Sequence, residues 1–153
     1  MRGESMNQLS SIPFADNSIT IYNQVKVKNA SGKVFTKWFR TVIPNCYVKV
    51  GGATTQQGSI ILSDVKNLVK IPLFDNFKDP YSYSQLTSEE IENYFTIASG
   101  SLIVTMAVDD IIDDFSTDLD IKKKYGTRAF TVSSTTLNIG ADRPHQHIIA
   151  IES

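Results

Sequence analysis

Apolar and polar residues alternate most cleanly between residues 18 and 43. In the run 18–28, Ile21, Val25 and Val27 fall on one face and Thr20, Tyr22, Lys26 and Lys28 on the other. That period of two predicts a half-buried β-strand. The turn Asn29-Ala30-Ser31-Gly32 follows, and Gly32 supplies the positive φ that such a reversal usually needs. The returning run, 34–43, has Trp38 and Val42 on one face and Phe35, Phe39 and Ile43 on the other. A strand apolar on both faces is expected to be central or half covered. Pro44 and Asn45 are expected to break it, and 46–50 to resume as a short strand.

Beyond this hairpin, 60–62 and 68–74 read as strands, and 75–84 as a loop anchored by Phe77, Tyr81 and Tyr83. Thr87-Ser88-Glu89-Glu90 resembles a helix start, with a short helix ending near Tyr94 or, alternatively, an extended lead into Phe95. The alternation of Leu102, Val104, Met106 and Val108 with Ile103, Thr105 and Ala107 predicts another strand. Residues 117–126 carry helix signals in order: a Ser116 or Thr117 cap, Asp118 and Asp120 in the first turn, Lys122 to Lys124 in the last, and Gly126 as the stop. Strands at 127–133 and 145–151 complete the chain.

The fold class expected is mainly β: a small barrel or sandwich of about seven or eight strands with one short helix near the C-terminus. Residues 1–17 read as a flexible or docking arm, and 18–153 as a single domain. Ile21, Val25, Trp38, Phe39, Leu102, Val104, Phe130 and Ile149 are its expected core. The segment 51–59 is expected to be a mobile loop. It has no apolar anchor, and it is longer than the roughly 4–6 residues of a typical connection, which favours a purpose.

Composition adds little to this picture, but the distribution of charge adds a good deal. With 41% hydrophobic and 20% charged residues and a net charge of −1, the 153 residues suit a folded domain with no whole-chain pull toward nucleic acid or membrane. No apolar run approaches the roughly 20 residues of a membrane span, and the polar start lacks a secretory h-region. Cys46 is the single cysteine, which points to production in a cytoplasm. The charged residues between 17 and 50 are all positive: Lys26, Lys28, Lys33, Lys37, Arg40 and Lys49. Those between 109 and 120 are all negative: Asp109, Asp110, Asp113, Asp114, Asp118 and Asp120. These are either two solvated surfaces or complementary patches that meet between copies of the chain, Lys26, Lys28, Lys37 and Arg40 against Asp109, Asp110, Asp113 and Asp114.

No constellation here carries catalysis. His145 and His147 share one side of a strand, as metal ligands often do, but no further histidine exists to join them. The aspartates at 109–120 lack the glycine and final glutamate of a calcium loop, and Ile111, Ile112 and Phe115 among them are expected to anchor the loop to the core. Cys46 has no activating helix terminus, and phosphate-binding and nucleophile-elbow motifs are absent. Tyr22, Trp38 and Phe39 among Lys26, Lys28, Lys37 and Arg40 fit a strand-borne single-stranded nucleic-acid surface, although core duty is the commoner fate of such aromatics. Neither a metal nor a cofactor is expected.

Several segments, in order, resemble a family of small head–tail connector proteins (head completion or minor capsid proteins) of siphophages and prophages of Gram-positive bacteria. They are Ile19-Thr20-Ile21-Tyr22-Asn23, Trp38-Phe39-Arg40-Thr41-Val42-Ile43, the run 102–108, Asp120-Ile121-Lys122-Lys123-Lys124-Tyr125-Gly126, Ala129-Phe130-Thr131-Val132 and His145-Gln146-His147. The resemblance implies a non-enzymatic stopper in the phage neck, found in the virion and made in the host cytoplasm. It implies a homo-oligomeric ring, commonly of about twelve subunits, docked on adaptor or portal proteins, facing the tail and surrounding packaged DNA. It also implies a channel or gating loop between early strands, which here would comprise Gly51, Gly52, Thr54, Thr55, Gln56, Gln57 and Gly58. The alternatives are an OB-like single-stranded nucleic-acid-binding module and a tail-completion protein.

Overall fold

The computed structural model describes residues 6–49, 55–57, 60–62, 66–138 and 146–152. Among these residues are eight strands: β1 (Asn17–Lys28), β2 (Val34–Lys49), β3 (Thr55–Gln57), β4 (Ile60–Leu62), β5 (Leu68–Pro72), β6 (Leu102–Val104), β7 (Ala129–Asn138) and β8 (His147–Glu152). Six of them close into an antiparallel barrel in the order β1-β2-β5-β8-β7-β6, while β3 and β4 pair with each other. Closure satisfies the sheet edges that an open sheet of this size would expose. Two short helices join them, α1 (Pro80–Ser84) and α2 (Asp118–Tyr125).

Strand β2 serves two neighbours by bending. It pairs with β1 from Lys28↔Val34 to Ile19↔Ile43, slips, resumes at Asn17↔Cys46, and then pairs with β5 through Tyr47–Lys49. Pro44 and Asn45 therefore turn the strand through a bulge rather than break it. Proline has no N–H to offer a ladder. Asn45 takes φ 60°, a left-handed conformation that asparagine tolerates, and its side-chain amide donates to Gln8 Oε1 at 2.7 Å.

The barrel interior is filled by Ile19, Ile21, Ile43, Val69, Ile71, Ile103, Phe130, Val132, Ile148 and Ala150. Phe95 closes it, edge-on to Phe74 and Phe77 at 6.4 and 5.6 Å between ring centroids. Full burial of one such isoleucine or phenylalanine contributes about 1.5–3 kcal/mol. On β8 the inward residues are Ile148 and Ala150; Ile149, expected in the core, faces outward and is half-buried. A run of neighbouring isoleucines does not reveal its face.

A second layer covers the outside of β1, β6 and β7. Tyr22, Leu102, Val104, Val108, Ile121 and Ala129 form it, with Trp38, Ile112 and Tyr125 at its margin. Leu102 and Val104 are thus core residues of this outer layer. Thr20 and Tyr22, expected at a solvent face, are fully buried. The chain after β6 explains this. Thr105 N and Oγ1 both donate to the Arg128 carbonyl, ending β6 at Val104 instead of Val108, and the segment then crosses over β1. There Thr20 Oγ1 donates to Met106 O at 2.8 Å and accepts from Val108 N at 2.9 Å. Helix α2 follows, held by reciprocal capping between Thr117 and Asp120 and ended by Gly126.

The 75–94 region seals one end of the barrel. Helix α1, where a loop was expected, starts at the Asp79 cap with Pro80 in its first turn. At 87–94 the expected helix is reduced to a 3₁₀ turn, Ile91–Asn93, after reciprocal hydrogen bonds between Thr87 and Glu90. Tyr83 and Ile91 are buried against Phe39, with Val25, Leu86 and Tyr94 around them. The start of the described chain is docked: Leu9 N donates to Leu73 O and Leu73 N to Ser10 Oγ, both at 2.7 Å, and Ser10 is buried.

Candidate functional site

The outer half of the β1–β2 hairpin and the acidic segment after β6 stand beside each other. Among the described residues, no third strand pairs with the hairpin past Tyr22, so it leaves the barrel as a two-stranded ribbon. Lys26 and Lys28 share a ribbon face with their cross-strand partners Thr36 and Val34, and that face also carries Trp38. Lys37 lies on the other face, with its ammonium 5.2 Å from the centre of the Phe39 ring. All three lysines are exposed.

The acidic segment is tied down at its base. Tyr22 Oη donates to Asp110 O at 2.6 Å, and Arg40 Nη1 donates to Val108 O at 2.9 Å. Burial, then the charge of Asp110, pushes the Tyr22 hydroxyl pKa up, so it stays a neutral donor. The Asp110 carboxylate accepts from Lys124 Nζ at 2.7 Å and from the Tyr125 hydroxyl. These two hydrogen bonds hold its carboxyl below the usual carboxylate range. Asp113 Oδ1 accepts from Phe115 N and Ser116 N, both at 2.8 Å, which folds the loop tip. Arg40 and Asp110, expected on opposing patches, are therefore parts of one subunit's scaffold. Asp109, Asp113 and Asp114 remain exposed.

Between ribbon and acidic segment lies a groove of about 540 Å³. Phe35, Thr36, Lys37 and Trp38 form one wall; Ile111, Ile112, Asp113, Asp114, Thr117 and Asp118 form the other. Ile112 packs on the outer core as expected, but Ile111 is 58% exposed and Phe115 94%. Phe35, 44% exposed, lines the groove with Ile111, while Phe115 and Leu119, the latter 63% exposed, lie on the same acidic segment outside the lining. Exposed apolar residues gathered at one place mark a contact surface more often than scattered ones do. The sequence signal was present as Ile111, Phe115 and Leu119 spaced through an acidic run, yet it could not say which of them the core would use.

Other expected site residues stand elsewhere or lie outside the described residues. Thr55, Gln56 and Gln57 form β3 against β4, a short ribbon where a loop was expected. Gly51, Gly52, Thr54 and Gly58 lie outside the described residues, as does His145. His147 is half-buried on β8, beside a second cleft of about 200 Å³ lined by Ser11, Ile12, Pro13 and Lys70. Among the described residues, no three potential ligands are grouped as a metal ion requires. Cys46 is buried, and burial pushes its thiol pKa up. Tyr22 is fully buried and Phe39 nearly so, which removes two of the three rings of a base-stacking surface. Among the described residues, no helix is long and apolar enough to cross a membrane.

No curated protein and no solved structure matches the chain. A family model does, over residues 14–150, from the end of the N-terminal arm into the last barrel strand. The chain thus belongs to a family of unknown function, DUF6751.

Proposed function

We propose that this protein is a non-enzymatic assembly subunit that forms a ring of identical copies, acting as a head-closure (stopper) component in the neck of a bacteriophage. The observation that carries the assembly reading is the exposed apolar surface of the acidic segment: Ile111 in the groove wall, with Phe115 and Leu119 on the same segment outside the lining, stand in solvent among carboxylates. A lone soluble domain gains nothing from exposing such residues together, whereas a subunit interface buries them. One molecule also carries two unlike surfaces, the basic ribbon and the acidic groove, and unlike surfaces give head-to-tail contacts that close into rings. The phage setting rests on the family resemblance of the ordered segments from Ile19 to His147. In that setting adaptor or portal proteins, the tail and packaged DNA are the partners, and the ribbon β3–β4 is the element to face the channel.

The test is the mass of the purified protein in solution, by native mass spectrometry or mass photometry, with images of any assembly. A closed oligomer with a central channel is expected. A monomer at all accessible concentrations overturns the reading. The lysines of the ribbon keep one rival in view: salt-sensitive, submicromolar binding of single-stranded DNA by a monomer would instead favour the nucleic-acid module.

A further inference from the structure

We propose that the groove is the receptor for the end of the β1–β2 ribbon of a second copy, Lys28 to Val34. This rests on the ring reading and names the segment that closes it. The ribbon runs without a third strand for five cross-strand pairs, from Gln24↔Trp38 to Lys28↔Val34, of which the first two still rest on the subunit through Trp38, Val25 and the Gln24 Nε2 hydrogen bond to Gly100 O. Those pairs span roughly 15 Å at about 3.3 Å per residue. A two-stranded ribbon is marginal by itself in water, yet this one has a built tip. Asn29 Oδ1 accepts from Ser31 N, Ser31 Oγ and Lys33 N at 3.0, 2.7 and 2.9 Å, and Gly32 takes φ 85° to complete the turn. A tip ordered before contact loses less entropy on docking.

The chemistry of tip and groove is complementary. The tip presents Lys28 and Lys33 around Val34, which is 51% exposed. The groove offers three acids, Asp113, Asp114 and Asp118, against one lysine, Lys37, around Ile111 and Trp38. Apolar anchors inside a charged rim are the usual anatomy of a specific contact, and the charges set its register. A subunit does not fill its own groove this way. Its ribbon walls that groove at Phe35, Thr36, Lys37 and Trp38, and the tip residues are not among the lining. Among the described residues, no ion pair joins the tip lysines to the groove acids.

Two single-site variants test this in the full chain: Ser31→Cys at the tip and Asp114→Cys at the groove, the native Cys46 being buried and inert. Mixed and oxidised, they should give a Ser31→Cys/Asp114→Cys dimer in at least tenfold excess over a control pair with Thr136→Cys on β7. In parallel, Lys28→Glu with Lys33→Glu should weaken assembly about tenfold or more, as should Asp114→Lys, and combining all three in one chain should restore it. Restoration requires that the variants fold. Circular dichroism on each variant separates misfolding from lost contact. An oligomer that forms without the specific cross-link and ignores the charge swaps overturns the inference and leaves the ring standing. So does a groove open to a lysine-rich peptide within the intact oligomer, since its occupant would then be another protein. A chain that never self-associates removes both readings.

Discussion

The two halves of the β1–β2 hairpin share one ladder but live under different physics. At the root, Ile19 to Asn23 are buried on both faces, the odd residues in the barrel and the even ones under the crossing segment. At the tip, 26 to 37 are exposed apart from Val27, and local hydrogen bonds through Asn29 alone fix the turn. The root is specified by packing within the chain, whereas the tip has no packing to specify it. A segment held in shape without a core of its own points to a contact outside the subunit. The largest effect should expose this split directly. Ile21→Ala at the root should cost about 2–5 kcal/mol of unfolding free energy, because it leaves a cavity in a closed interior. Val34→Ala at the tip should change it by no more than about 0.5 kcal/mol while weakening self-association. Urea denaturation of both variants beside a sizing experiment checks the contrast. An equal loss of stability at the two sites would erase the distinction.

The boundary between the halves depends on one buried amide. Asn23 Nδ2 donates to Thr96 O at 2.7 Å and to Ser101 Oγ at 3.1 Å, and its Oδ1 accepts from Thr96 N at 3.1 Å. It thereby satisfies both backbone groups of Thr96, which no strand pairs. Asn23→Ala orphans them, and each buried orphan costs about 1–3 kcal/mol. The expected signature is a drop in denaturation midpoint with accelerated amide exchange at Thr96, and little change at the Asn29 turn.

Much of the root and most of α2 could be read from the chain. The period of two placed Ile21 inside, and Thr117, Asp120 and Gly126 marked the helix ends. The covered face could not be read. Thr20 and Tyr22 look like solvent-facing residues because their cover, Met106 to Asp110, arrives from more than 80 positions away. The same crossing shortened β6, since 102–108 keeps a strand's alternation while leaving the sheet after Val104. Helix α1 did have a local signal, Asp79 before Pro80, overshadowed by the loop-like composition around it. One wall of the groove left a local trace, Ile111 among aspartates, but its pairing with the other left none: the walls come from segments about 75 residues apart, and only the fold brings Trp38 to Ile112.

Smaller effects should sharpen the view that the crossing segment, not the ribbon, holds the groove's acidic wall in place. Tyr22→Phe removes one hydrogen bond to Asp110 O and keeps the ring, so about 0.5–1.5 kcal/mol should be lost. Amide exchange should speed up across 109–116 more than in β2, and the reverse pattern would deny Tyr22 its anchoring role.

The smallest effect is one of pH, and it separates the tied acid from the exposed ones. The hydrogen bonds from Lys124 and Tyr125 lower the folded-state pKa of Asp110. A group with a depressed folded pKa contributes stability above its unfolded value, about 3.9 for aspartate, and loses it as pH falls through the folded value. Asp110→Asn should therefore reduce stability at pH 7 and flatten part of the acid limb below about pH 4, with little change in the slope above pH 5. Only part of that limb belongs to Asp110. Hydrogen bonds to the neighbouring cap also lower Asp120, with the Thr117 backbone contributing most, and those from Ser82 lower Asp79. Asp114, an exposed groove acid, divides the other way: Asp114→Asn should change the unfolding free energy at pH 7 by no more than about 0.5 kcal/mol and shift the salt dependence of assembly instead. If both substitutions lowered stability at pH 7 alike, Asp114 would be scaffold as well, and the groove would lose the charge on which the proposed contact depends.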